Sequence, residues 1–245
     1  MTSLREKCPW DKKQTLESLR YLNIEETYEL SDAILDNDLS EIKKELGDLL
    51  LHIVFYSQIG KEKNAFDFAD VVEEINHKLI VRHPHVFGEV QVNDAEDVKS
   101  NWEKIKLKEG RKSVLEGVPK SLPAMVKAYR IQEKVRGVGF DWENSTQVLE
   151  KVKDEIAEFE CEAQSARADK MESEFGDILF SLINYARFHN INPEDALEKT
   201  NRKFIDRFKK METLIEKSGK PLTQMSLAEM DLFWDKAKLM DKQPN

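Results

Sequence analysis

Four acids recur along this chain at one fixed displacement, and that recurrence limits the folds open to it. Glu26, Glu29, Glu45 and Asp48 return as Glu155, Glu158, Glu174 and Asp177, each displaced by 129 positions. A trio follows each set: Asn76, Lys78 and Arg82, then Asn201, Lys203 and Arg207, displaced by 125. A repeat of this kind means one supersecondary unit used twice. The phase of the acids says what the unit is made of. An apolar stripe at helical spacing runs through Leu19, Leu22, Leu30, Ala33 and Ile34, and Glu26 lies in line with it. Glu45 falls between Ile42 and Leu49, Glu155 between Val152 and Phe159, and Glu174 between Met171 and Ile178. Solvated acids belong on the opposite face of such helices. These read as inward-facing.

Inward carboxylates are costly unless something positive joins them. Within each pair the acids are one helical turn apart, so both can converge on one point. Two facing helices bring four together, and mutual repulsion then raises their pKa values unless a cation intervenes. An all-oxygen set without His or Cys favours Mg²⁺, or Mn²⁺, over Zn²⁺. Gly47 and Gly176 interrupt the same helices, at a cost of about 1 kcal/mol each relative to alanine. Lacking a Cβ, they predict close approach of a neighbouring helix or a ligand where the acids converge. Carboxylate-held metals commonly carry substrate phosphates. Lys78 with Arg82, and Lys203 with Arg207, stand i,i+4 on helix faces suited to phosphate oxygens. Trp234 and Lys238 share a face in the same way.

The rest of the chain fits an all-α fold of two tandem helical domains. Glycine (9) and proline (7) are scarce among 245 residues, and no run alternates as a strand would. They concentrate at Gly110, Gly117, Pro119 and Pro123, which predicts a first domain over 1–107, a connector over 108–123 and a second domain over 124–245. Asn144 or Ser145 reads as a helix N-cap. A net charge of -9 excludes nucleic-acid binding by broad phosphate neutralisation. Two distant cysteines, no leader-like N-terminus and no membrane-length apolar run predict a soluble cytoplasmic protein without membrane contact. Trp10 and Trp142, near helix starts, read as core anchors, and Cys161 as a small buried or half-buried residue.

With these residues in view, the sequence resembles the MazG-type nucleoside triphosphate pyrophosphohydrolases of the all-α pyrophosphatase superfamily. The signature EExxE followed by ExxD appears as EETYE with ELGD (25–29, 45–48) and as DEIAE with EFGD (154–158, 174–177). CPWD (8–11), RHPHVFGE (82–89), SLPAM (121–125), VGFDW (138–142) and NRKFIDRF (201–208) extend the likeness over nearly the whole chain. The resemblance implies Mg²⁺-dependent hydrolysis of NTPs and dNTPs between the α and β phosphates. It also implies a homodimer of tandem domains with sites built on four-helix bundles. Carried over by position, it makes Glu155, Glu158, Glu174 and Asp177 metal ligands. Lys170, Asn201, Lys203, Arg207, Trp234 and Lys238 become substrate contacts. Glu26, Glu29, Glu45 and Asp48, with Lys78 and Arg82, take the same roles in the first copy. One position departs: the leading acid of EExxE is Asp154 in the second copy. Two other readings remain at this stage, a metal-dependent nucleotide-binding regulator and a helical scaffold whose acids only make salt bridges.

Overall fold

A computed structural model describes residues 1–110, 112–165 and 167–241, and the side chains of Glu96, Leu107 and Lys108 are not among those described. Arg111, in the expected connector, and residues 242–245, at the end of the expected second domain, lie outside the described residues. The chain is all-helical, with no strand among the described residues. It divides into two compact units, Met1–Asn93 and Asp94–Asn245. None of the described helices is long and apolar enough to cross a membrane.

The first unit contains α1 (Thr2–Lys7), α2 (Leu16–Leu35), α3 (Leu39–Glu62), α4 (Phe68–Arg82) and the short α5 (Pro84–Phe87). Its helices start where side chains can accept orphan amide hydrogens. Thr15 and Ser18 cap α2 reciprocally, Asp38 accepts from Ser40 and Glu41 to start α3, and Asp67 pairs with Asp70 to start α4. Asn37 and Asn64 follow α2 and α3 in the left-handed region, each at φ 54°, a conformation asparagine tolerates beyond a helix end. The resulting α2–α3 hairpin closes over Leu19, Phe55 and Ile59. Each of these fully buried side chains contributes about 1.5–3 kcal/mol. Arg5 fastens α1 to the end of α3, with its guanidinium 2.5 Å from the Glu62 carboxylate.

The second unit contains α6 (Ala95–Lys108), α7 (Ala124–Arg136), α8 (Ser145–Gln164), α9 (Ala168–Phe188), α10 (Pro193–Lys217) and α11 (Leu227–Met240). Asn144 caps α8 as expected, accepting from the Gln147 amide at 3.1 Å. Asn190 ends α9 at φ 55°, as Asn64 ends α3. The α8–α9 hairpin repeats α2–α3, while α10 and α11 close over Met211, Ile215 and Ala237.

The division differs from the expected boundary, because α6 packs with the second unit. Its Glu103 lies 3.4 Å from Lys134 Nζ, whose side chain is 2% exposed, and Lys134 also donates to the Val114 carbonyl at 3.0 Å. Such an ion pair, once buried, is expensive to separate. Two further expectations are corrected. Trp10 and Trp142 are not core anchors: they are 55% and 44% exposed. Cys161 lies on the exposed side of α8.

Candidate metal and nucleotide site

The repeated acids gather in both units. In the first, Glu26 and Glu29 from α2 meet Glu45 from α3, with one oxygen of each within 4.8 Å of the others. In the second, Glu155 from α8 meets Glu174 and Asp177 from α9 under the same limit. One acid of each four, Asp48 and Glu158, lies outside its close group. Each remains near enough to act on its neighbours electrostatically. Burial, then the charges of Asp48, Glu29, Glu45 and Glu25, push the Glu26 carboxyl above its ordinary value. Glu174 is raised by desolvation, then by Glu158, Asp177, Glu155 and Glu162. Burial is the larger cause in both, and concentrated like charge adds to it.

Burial is uneven within these groups. Glu45 is 3% exposed and Glu155 6%, whereas Glu29 and Asp177 are exposed. Each buried acid has one lysine at its edge. Lys44 Nζ stands 3.1 Å from Glu45 Oε1 and 3.1 Å from Glu41, and Lys151 Nζ stands 2.5 Å from Glu155 Oε1. Their carboxylate partners raise both ammonium pKa values. The lysines serve different copies from different places: Lys44 adjoins its acid on α3, and Lys151 sits one turn before its acid on α8. The i,i+4 spacing of Lys151 and Glu155 was open to sequence reading and passed over. Glu45 Oε2 is buried with no hydrogen-bond partner. An orphaned carboxylate oxygen beside two further acids fits a hard divalent cation, which takes oxygen ligands in this number and kind.

The expected phosphate-binding residues are arranged otherwise. Arg207 Nε is 2.5 Å from Asp241 Oδ2, and Lys210 shares that carboxylate at 2.7 Å. Lys238 bonds Asp235 at 3.0 Å, Asn201 donates to Glu198 at 3.4 Å, and Lys170 lies 3.8 Å from Glu162. Lys78 and Lys203 are exposed, on α4 and α10, and Arg82 is half-buried at the end of α4. None of these contacts joins a base to the acid group of its own unit. Trp234 packs on Phe204, with ring centroids 5.1 Å apart, and against the α10–α11 core.

Gly47 and Gly176 also behave differently from expectation within the chain. A Cβ at either would meet nothing within 4 Å, so among the described residues no neighbouring helix of its own unit presses on it. The surface around them is apolar and open: Leu46 and Leu50 are each 53% exposed, Phe175 52% and Leu179 42%.

Residues missed by sequence reasoning hold the later turns of α9, beyond the second acid group. Arg187, 6% exposed near the end of α9, grips both carboxylate oxygens of Asp141, its Nη1 donating to Oδ2 at 2.9 Å. Gln132 of α7, 4% exposed, donates through Nε2 to the Phe180 carbonyl at 2.8 Å. Neither contact follows from a periodic pattern, since one joins α9 to the turn before α8 and the other joins α7 to α9, across 46 and 48 residues.

Comparison with known proteins points to one family. The MazG nucleotide pyrophosphohydrolase domain matches residues 14–87 and 143–211, which contain both acid sets. A Thermotoga maritima protein named nucleoside triphosphate pyrophosphohydrolase/pyrophosphatase MazG is 47% identical over 236 residues, 95% of this chain and 90% of its own. The Escherichia coli K12 nucleoside triphosphate pyrophosphohydrolase is 41% identical over 237 residues, 94% of this chain and 90% of its own. A Bacillus subtilis protein, YabN, is 46% identical over 235 residues, which are 94% of this chain and 48% of that protein.

Proposed function

The chain belongs to the MazG nucleotide pyrophosphohydrolase family, and on that footing we propose a cation-dependent cleavage of nucleoside triphosphates between their α and β phosphates. Hydrolysis of a nucleoside triphosphate at an acid anhydride bond is the activity it shares with its relatives. The monophosphate and pyrophosphate as products, Mg²⁺ or Mn²⁺ as the cation, and the inclusion of deoxynucleotides are our reading. One observation carries it: in each unit three carboxylates from facing helices converge to within 4.8 Å, and two of the three, Glu26 with Glu155 and Glu45 with Glu174, stand at corresponding repeat positions.

In the second unit Glu155, Glu158, Glu174 and Asp177 would hold the cation, and in the first Glu26, Glu29, Glu45 and Asp48. Bound there, it supplies Lewis-acid polarisation of a phosphoryl oxygen and a lowered pKa for water. The side chains of this chain do the remaining work. A carboxylate of the set takes the proton from the attacking water. Exposed Lys203 in the second unit and Lys78 in the first would offset negative charge on the pyrophosphate, with Arg82 in the same role in the first unit, and Lys170, Asn201, Arg207 and Lys238 would join by exchanging their contacts to Glu162, Glu198, Asp241 and Asp235 for phosphate oxygens. Lys203 and Arg207 are one turn apart on α10, and Trp234 braces that helix through Phe204.

The open apolar faces over Gly47 and Gly176 favour a second copy of the chain as their cover, and hence a homodimer. Sedimentation equilibrium should then give twice 28.5 kDa, and a mass of one chain would refute the dimer. The reaction is tested by product analysis. Incubation with ATP and Mg²⁺ should yield AMP and pyrophosphate, and EDTA should abolish both. ADP with orthophosphate would refute the bond assignment.

A further inference from the structure

Arg207 differs from its neighbours in the second unit by the acid it holds. Lys238 and Asn201 bond acids three residues away on their own helices, as surface side chains commonly do. Arg207 instead bonds Asp241, 34 residues on, at the end of a different helix, and Lys210 bonds the same carboxylate.

We propose that Arg207 and Lys210 form one seat for a substrate phosphate, with Lys210 a further contact, and that Asp241 fills the seat as an internal competitor that the substrate displaces. The proposal rests on the reading of Arg207 as a phosphate contact.

Three observations support it. First, the seat already holds an anion. Arg207 Nε lies 2.5 Å from Asp241 Oδ2 and Lys210 Nζ 2.7 Å from Oδ1, so two cations take separate oxygens of one carboxylate. A phosphate group offers the same pair of oxygens with more charge, and guanidinium and ammonium groups bind it well. Second, packing aims the acid at the seat. Ala237 is buried in the α10–α11 core with Met211, and Asp241 follows it by one helical turn, its amide still bonded to the Ala237 carbonyl. The Arg207 and Asp241 side chains are 23% and 22% exposed, so water and a ligand can reach the pair. Third, α11 gives no reason of its own for a carboxylate there. Its C-terminus is the negative end of the helix dipole, where an acid is disfavoured. Hydrogen bonds from Lys210 and then Arg207 nonetheless hold the Asp241 carboxyl below its ordinary value, which keeps it ionised at neutral pH. Lys203, Arg207 and Lys210 fall at i, i+4 and i+7 on α10, a stripe that leads from an exposed lysine to the occupied seat.

The test is Asp241→Asn, which keeps the shape and removes the charge, made in the full-length chain with Glu45→Gln disabling the first acid group. Pyrophosphate titrated calorimetrically in Mg²⁺ should bind about three- to tenfold more tightly than it does with Asp241 present. An occupied seat lowers apparent affinity by its free fraction, and a partly exposed pair makes that effect modest. The KM for ATP should fall by a similar factor, with kcat no higher. Adding Lys210→Gln should reverse the gain, whereas a lysine that serves only to hold Asp241 would leave it in place. Pyrophosphate binding unchanged or weaker in Asp241→Asn would overturn the proposal, whatever the melting temperature does, as would a gain indifferent to Lys210→Gln. Tighter pyrophosphate binding with no ATP cleavage would instead overturn the hydrolysis reading and leave the seat standing. ATP cleavage to AMP and pyrophosphate with a KM unmoved by Asp241→Asn would do the reverse.

Discussion

Glu174→Gln should lower the second unit's share of pyrophosphate release by at least about a hundredfold without destabilising the protein. Loss of a group that merely orients a metal ligand costs 10–100-fold, so loss of a ligand itself costs at least as much. The stability half of the result follows from the electrostatics. Glu174 stands among Glu158, Asp177, Glu155 and Glu162, and desolvation and those charges disfavour its ionised form. A neutral amide of the same shape relieves that repulsion, so the melting temperature in EDTA should hold or rise. The scaffold reading, in which the acids only make salt bridges, predicts the opposite pair of outcomes: unchanged turnover and a lower melting temperature. Glu45→Gln, measured beside it, reports how much of the turnover belongs to the first unit.

Lys134→Met should destabilise the chain by about 3–5 kcal/mol, the cost of stranding one partner of a buried ion pair. Methionine keeps most of the stem packing and removes only the ammonium. Glu103, whose side chain is 10% exposed, would keep Lys106 at 2.6 Å and lose Lys134, and Val114 would lose its donor. By contrast Lys238→Met should cost no more than about 1 kcal/mol, because its pair with Asp235 is 45% and 70% exposed. Denaturant unfolding followed by circular dichroism compares the two. A loss under about 1 kcal/mol for Lys134→Met would contradict the pairing as an organising contact. The same site carries a pH dependence. Burial opposes ionisation of Glu103, yet its bonds to Lys106 and Lys134 hold the carboxyl below its ordinary value. A depressed folded pKa contributes stability in full above the unfolded value of about 4.3, and loses it as pH falls through the folded value. Wild-type stability should therefore fall with acidification over that window, less steeply in Lys134→Met.

The acid pattern was the most legible part of the molecule. Helical phase told which side Glu45 and Glu155 would take, and both are buried. Phase cannot say which oxygens meet, and in each unit one acid of four stands apart, Asp48 in the first and Glu158 in the second. The density of glycine and proline located the break after α6 but not the side to which α6 belongs. That was decided by one ion pair, Glu103 with Lys134, between residues 31 apart in sequence. Gly47 and Gly176 were read as making room for a neighbouring helix or a ligand, and among the described residues no helix of their own unit fills that room. Trp142 was misjudged because a tryptophan near a helix start is usually an anchor. Here the anchor of the turn is the Arg187–Asp141 pair, which leaves the indole free to face outward.

Counting bound Mn²⁺ by electron paramagnetic resonance tests the central claim most directly. The wild-type chain should bind Mn²⁺ at its acid groups, and Glu155→Gln with Glu174→Gln should remove the second unit's share of both Mn²⁺ binding and pyrophosphate release. Mn²⁺ binding unchanged in that double variant would contradict the account, because no cation would then be held by the acids that define the repeat.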